Sequence, residues 1–115
     1  MSQWTVRLTA AAEKDFQGIV AWTVEQFGEA QALVYAETIA LALEALAAGP
    51  SPIDARRRDE IQKGFWSLHV ARQERKGRHF VMFRSAPRGG DVIEVLRLLH
   101  DSMDLPLHFQ IPDEP

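Results

Sequence analysis

The 115-residue chain reads as one α+β domain, residues 1–115: an N-terminal strand and a helical hairpin packed on a small twisted antiparallel β-sheet. Three observations predict this. Apolar residues alternate near the N-terminus, fall at helical spacing from Ala12 to Ala48, and return to strand-like runs after Phe65. The helical stretch is interrupted only at Gly28, which leaves room for nothing longer than a hairpin joint. The later strand runs are separated by short turn-like segments, and such connections make antiparallel neighbours.

Gln3 to Leu8 carries Trp4, Val6 and Leu8 on one side and Gln3, Thr5 and Arg7 on the other, the pattern of a half-buried strand. Thr9 then supplies an N-cap hydroxyl, and Glu13 and Asp15 sit near the positive end of the helix that follows. Its apolar stripe is Ala12, Phe16, Ile19, Thr23 and Phe27, widened by Val20 and Trp22, with Trp22 expected in the core. Gly28 is expected as a left-handed cap. The second helix, Glu29 to Ala48, is expected to bury Leu33, Ala36, Ala40, Leu43 and Ala47, flanked by Ile39 and Leu46. Gly49, Pro50 and Pro52 end it. Residues 50–64, including Arg56, Arg57 and Arg58, read as an exposed loop or short helical turn. Phe65 to Ala71, His79 to Arg84 and Val92 to Leu99 are the three strands of a meander. The second is apolar on both parities and therefore central. Asp101 caps a short C-terminal helical turn, which Pro106 disfavours continuing.

Composition is that of a globular domain, 46% hydrophobic and 25% charged. No uninterrupted apolar run approaches the roughly 18 residues of a membrane span, and MSQWTVRL lacks the basic and apolar regions of a signal peptide. With no cysteine there is no disulfide and no thiolate metal site, and a cytoplasmic location is expected. Charge is segregated. Residues 1–54 carry two bases against seven acids, residues 55–100 eleven bases against five acids, and residues 101–115 four acids and no Lys or Arg. The basic middle suits an acidic partner, nucleic acid or protein, or is a solvated surface balanced by the acidic helices.

Phosphate loops, serine elbows and HExxH are absent; Gly89 and Gly90 form only a turn. The four histidines, at 69, 79, 100 and 108, lack metal-ligand spacing, so neither metal nor cofactor is expected. Arg72, Arg75, Lys76 and Arg78 cluster about one turn, with Arg84, Arg88 and Arg97 nearby and Trp66, His69 and His79 interleaved. Such a set could grip RNA phosphate and cleave it by general acid–base chemistry, or could be an ordinary charged hairpin. In IEVLRLLHDSMD, Glu94, Arg97 and His100 interrupt an apolar strand. They are either paired within the fold or form a polar pocket. If the strand is regular, Arg97 shares a face with Ile93, Val95 and Leu99.

From about residue 5 to 109 the chain resembles the RelE/ParE superfamily of bacterial type II toxins, specifically its ParE branch. The matching blocks are VRLT, AAEKDF with Asp15, Ile19 and Trp22, FGEAQA with Gly28 and Ala32, Tyr35, Leu43 to Pro50, GRHFVMFR and, most specifically, IEVLRLLHDSMD. The resemblance implies a cytoplasmic toxin that inhibits DNA gyrase. It also implies a toxin–antitoxin hetero-oligomer with a cognate, ParD-like antitoxin, often ribbon-helix-helix, whose C-terminal arm wraps the toxin. An arm of that kind would place a helix along the hairpin and acidic side chains on Trp66, Arg72, Arg78 and Arg84. RelE-type relatives are ribosome-dependent mRNA endonucleases with lysines or arginines on the first meander strand and a late tyrosine. Here that strand is FWSLHVA and the single tyrosine is Tyr35, so the nuclease set is largely missing. His69, His79 and Arg97 remain its catalytic candidates; a non-toxic antitoxin-binding module is a further alternative.

Overall fold

The structure, a computed structural model, describes residues 4–49, 54–86 and 90–102. Arg88, His108 and the C-terminal helical turn expected from residue 103 onward lie outside the described residues.

Strand β1 (Thr5–Leu8) leads into helices α1 (Ala10–Phe27) and α2 (Glu29–Ala45), the latter extended by a 3-10 turn, Leu46–Ala48. Strands β2 (Arg56–Arg57), β3 (Trp66–His69), β4 (His79–Ser85) and β5 (Val92–His100) follow. The sheet order is β1-β5-β4-β3-β2. β2 through β5 are antiparallel neighbours, as expected of a meander. β1, however, lies parallel to β5, with Val6 opposite Ile93, so the sheet is mixed rather than wholly antiparallel. Alternation identifies β1 as a strand but cannot name its neighbour. The segment read as a loop also contributes a strand: Arg56 and Arg57 pair with Ser67 and Trp66 at the sheet edge.

Thr9 caps α1 as expected. Its Oγ1 accepts the Ala12 N–H at 3.1 Å and donates to the Leu96 carbonyl at 3.0 Å, tying the helix start to β5. Gly28 ends α1 at φ +92°, a value that favours glycine, and its N–H donates to the Val24 carbonyl. The hairpin covers one face of the sheet, where Ile39, Ala42 and Leu46 meet Leu68, Val81, Phe83, Ile93, Val95 and Leu98. A smaller cluster on the opposite face holds Phe65, Met82, Leu96 and Leu99, with Ile61 and Phe80 against it. β4 is central and apolar on both faces, as its sequence predicts.

Two packing expectations are overturned. α2 turns Ala32, Ile39, Ala42 and Leu46 inward and leaves Leu33 73% exposed. Apolar residues spread well beyond its inward face, Leu33, Val34 and Leu41 among them, so their periodicity alone does not single out the buried side. Trp22, expected in the core, is 56% exposed. It stands on the flank of the α1 stripe.

Candidate functional site

β5 is not regular. Met82 faces Arg97 and Phe83 faces Val95, so Leu96 is an extra residue, a β-bulge. The bulge resets the side-chain parity: Ile93, Val95 and Leu98 share the helix face, while Leu96 and Leu99 turn to the other. The expectation that Arg97 shares a face with Ile93, Val95 and Leu99 fails for this reason. The Arg97 guanidinium instead meets Asp15 of α1 in a bidentate pair, Nε to Oδ2 at 2.7 Å and a terminal nitrogen to Oδ1 at 3.0 Å. Asp15 also accepts the Leu98 N–H at 3.0 Å, closing the β5 edge where β1 has ended. The hydrogen bonds that Arg97 donates to Asp15 raise the Arg97 pKa further.

The sheet end formed by the start of β4 and the end of β5 gathers the polar groups. His79 and His100 are cross-strand partners, their rings edge to face with centroids 5.2 Å apart. The Tyr35 hydroxyl lies 2.6 Å from His79 Nδ1 and accepts the Arg78 N–H at 3.0 Å. The hydroxyl oxygen keeps a second lone pair, so the direction of the Tyr35–His79 bond follows the His79 tautomer. Burial first, then the neighbouring His100, lowers the His79 pKa to about 4, so its ring is neutral at neutral pH. Burial likewise raises the Tyr35 pKa. His100 Nδ1 accepts the Ser102 N–H at 3.1 Å.

His69 stands elsewhere. It faces Phe80, on the face opposite the helices, with ring centroids 5.0 Å apart. Its Nδ1 accepts the Ala71 N–H at 3.0 Å, and Nε2 donates to Asp101 Oδ2 at 2.9 Å. Arg78 binds the same carboxylate at 3.0 and 3.2 Å. Burial pushes the Asp101 carboxyl upward, but the bonds from His69 and Arg78 outweigh it and hold it below the ordinary value. Asp101 therefore joins β3, the approach to β4 and the exit of β5.

Sequence candidates thus separate in space. His69 and His79 lie on opposite faces of the sheet, and Arg97 is committed to Asp15. Of the residues expected to meet an antitoxin, Arg78 has a side chain 69% exposed. Arg72 is 18% exposed and bidentate to Asp54, whose pKa its hydrogen bond lowers. Arg84, 22% exposed, is paired with Glu94. Trp66 stacks on Phe83 beneath the Arg57 guanidinium. These four do not form one patch: Arg78 and Arg84 flank opposite ends of β4, about 20 Å apart at strand rise. Sequence reasoning did not single out Tyr35, Asp101 or Gly18 for this region; no local pattern marks groups that only the tertiary fold brings together.

Above the helix-side part of this sheet end runs an open groove of about 980 Å³. α1 forms one wall, from Ala11 through Gly18 to Phe27, and Lys76 to His79 with Arg97 to His100 form the other. Its lining is mainly apolar. The described residues hold no cluster of His, Asp or Glu able to bind a metal.

A helical hairpin on a sheet of this order is the fold of the RelE/ParE-like type II toxins. The structure of a chromosomal ParDE toxin–antitoxin system from P. aeruginosa matches with a TM-score of 0.60 at 19% identity, over 84% of this chain and 95% of that one. The RelBE2 toxin–antitoxin complex from Mycobacterium tuberculosis matches at 0.53 and 20% identity, over 85% and 98%. Within that class the sequence is decisive. The family described as ParE toxin of the type II toxin-antitoxin system parDE matches residues 6–105. Toxin ParE from Escherichia coli is 35% identical over 98 residues, 85% of each chain. The chain belongs to the ParE toxin family.

Proposed function

We propose that this single-domain toxin arrests growth by inhibiting DNA gyrase without catalysing a reaction, and that a cognate antitoxin neutralises it in the cytoplasm. Family membership supports the toxin class. The observation that favours a non-enzymatic mode is the state of the histidines. Each described histidine has its Nδ1 engaged within the fold, by Ala71 N–H, the Tyr35 hydroxyl or Ser102 N–H, and the three rings do not converge on one point. The candidate phosphate-gripping Arg97 is neutralised by Asp15. RelE-like ribonuclease action would need these groups free and convergent.

The antitoxin in this reading is ParD-like, with a ribbon-helix-helix DNA-binding part and an arm that reaches Trp66 and Arg78; Arg72 and Arg84 contribute after exchanging Asp54 and Glu94 for partner carboxylates. Supercoiling by purified gyrase tests the target. Stoichiometric toxin should inhibit it and accumulate cleaved DNA, and uninhibited supercoiling at large excess would refute it. Toeprinting of translating mRNA tests the alternative: message should stay intact, and reproducible cleavage lost in His79→Gln would move the chain to the nuclease branch.

A further inference from the structure

We propose that the groove along α1 is a small-molecule site for a free long-chain fatty acid, its acyl chain lying against Ile19, Trp22 and Phe27 and its carboxylate held on the opposite wall by His79 and Lys76. The ligand is a monomeric amphiphile, so the site goes beyond the proposed function and does not depend on it. Three features carry the assignment: a long apolar trough bordered by exposed rings, cations without an ion pair among the described residues, and an accessible histidine nitrogen between them.

The trough has the size and shape for such a ligand. Its volume of about 980 Å³ lies at the upper end of small-molecule sites. From Ala11 to Phe27 the α1 wall is about 24 Å long, so the space is elongated and suits an extended chain better than a compact ring system. Gly18 stands near the middle of that wall, in a helix interior where glycine destabilises relative to alanine. A Cβ built there meets no atom within 4 Å, so packing within the described residues does not require the glycine. Its effect is to leave the wall bare and the trough wide at mid-length. One turn later, Trp22 is 56% exposed and Phe27 is 65% exposed, with ring centroids 5.9 Å apart. An acyl chain laid against these rings removes apolar surface of both from water.

Charge selects the head group. Asp15, the acidic side chain of the lining, is neutralised by Arg97. Lys14 and Lys76, which also line the groove, are exposed and make no ion pair among the described residues. His79 Nδ1 is engaged by Tyr35, while Nε2 has no hydrogen-bond partner among the described residues. None of their buried side-chain polar atoms lacks a partner, so Nε2 is open to solvent. A carboxylate accepting from Nε2–H selects the tautomer in which Tyr35 donates to Nδ1, and the Lys76 ammonium supplies the counter-charge. A net-negative chain thus presents a cationic trough, complementary to an apolar anion. A free acid fits better than a lipid in a bilayer. The chain lies lengthwise between two walls, and residues 1–54, with two bases against seven acids, are repelled by an anionic membrane surface.

The probe is dodecanoate, titrated below its micelle concentration into the intact chain and followed by calorimetry and tryptophan emission, with circular dichroism confirming that the fold persists. Binding should be saturable at one site, with a dissociation constant on the order of 10–100 μM. Decanoate should bind about tenfold more weakly, the effect of two fewer buried methylenes. Emission should shift to the blue, and Trp22→Phe should abolish the shift while binding persists. Gly18→Leu should raise the melting temperature, since it places a better helix former in open space, yet weaken dodecanoate at least about tenfold by filling the trough. Lys76→Glu should weaken dodecanoate and leave the uncharged dodecanol unchanged. Dodecyltrimethylammonium binding as tightly as dodecanoate would overturn the anionic head-group site. Non-saturable uptake, loss of the native dichroism on binding, or a folded Gly18→Leu that binds as well as the wild type would overturn the groove. Co-sedimentation with phosphatidylglycerol vesicles in place of monomer binding would reassign the surface to a bilayer and likewise overturn the proposal.

Discussion

Replacing Asp15 by alanine removes the tether between α1 and the end of β5. The Asp15 carboxylate accepts two bonds from Arg97 and one from the Leu98 N–H, and the two ionic side chains are 33% and 17% exposed. Breaking a fully buried pair costs about 3–5 kcal/mol, whereas exposed pairs contribute at most about 1 kcal/mol. Arg97 at one-third exposure recovers part of its hydration after the loss. The Leu98 N–H, on a buried residue at an edge β1 no longer covers, loses its acceptor, an effect of about 1 kcal/mol or more. Together these give a loss of about 2–3 kcal/mol, roughly 10 °C in melting temperature for a domain of this size. Equilibrium urea unfolding followed by circular dichroism measures it. Asp15→Ala combined with Arg97→Met should be more stable than Asp15→Ala alone, because the orphaned charge is gone. A loss below about 0.5 kcal/mol, the range of ordinary surface substitutions, would refute the tether.

His79 should make stability pH-dependent. Its pKa falls from 6.5 to about 4 on folding, so between those values the unfolded chain binds more protons. Its contribution is therefore complete above 6.5 and is lost as the pH falls toward 4. In His79→Phe the acid limb of a stability–pH curve should flatten over that window; an unchanged slope would contradict the burial of a neutral ring. Gly77→Ala should destabilise by about 1–3 kcal/mol, because a Cβ there would overlap Val70 Cγ2 and press on Tyr35, both visible as a lowered urea midpoint. Thr9→Ala should cost about 1 kcal/mol and speed amide exchange at Ala12, since the hydroxyl caps α1 while holding the Leu96 carbonyl.

Much of the fold was legible in the chain because local rules coincide with the final packing. The Thr9 cap, the Gly28 joint, the central β4 and the antiparallel meander follow from spacing and turn chemistry. Family membership was legible in the closing strand and its flanks. What failed was whatever depends on a neighbour distant in sequence. In alanine-rich α2 apolar residues extend beyond one face, so contact with the sheet selects Ala32 and Ile39 over Leu33. β1 alternates correctly, yet its pairing with β5 is decided across the whole domain.

The closing segment shows the division plainly. Its residues by themselves determined a buried strand, ending on His100, that marks the toxin class. A single extra residue at Leu96 then decided which side chains share a face, because one unpaired residue shifts a period-2 pattern from one side of a sheet to the other. Only the tertiary structure placed Asp15 against Arg97, Tyr35 against His79 and Asp101 between His69 and Arg78. Those partners turn a strand that reads like a catalytic set into one whose polar groups are satisfied, and they leave the open chemistry to the groove beside it.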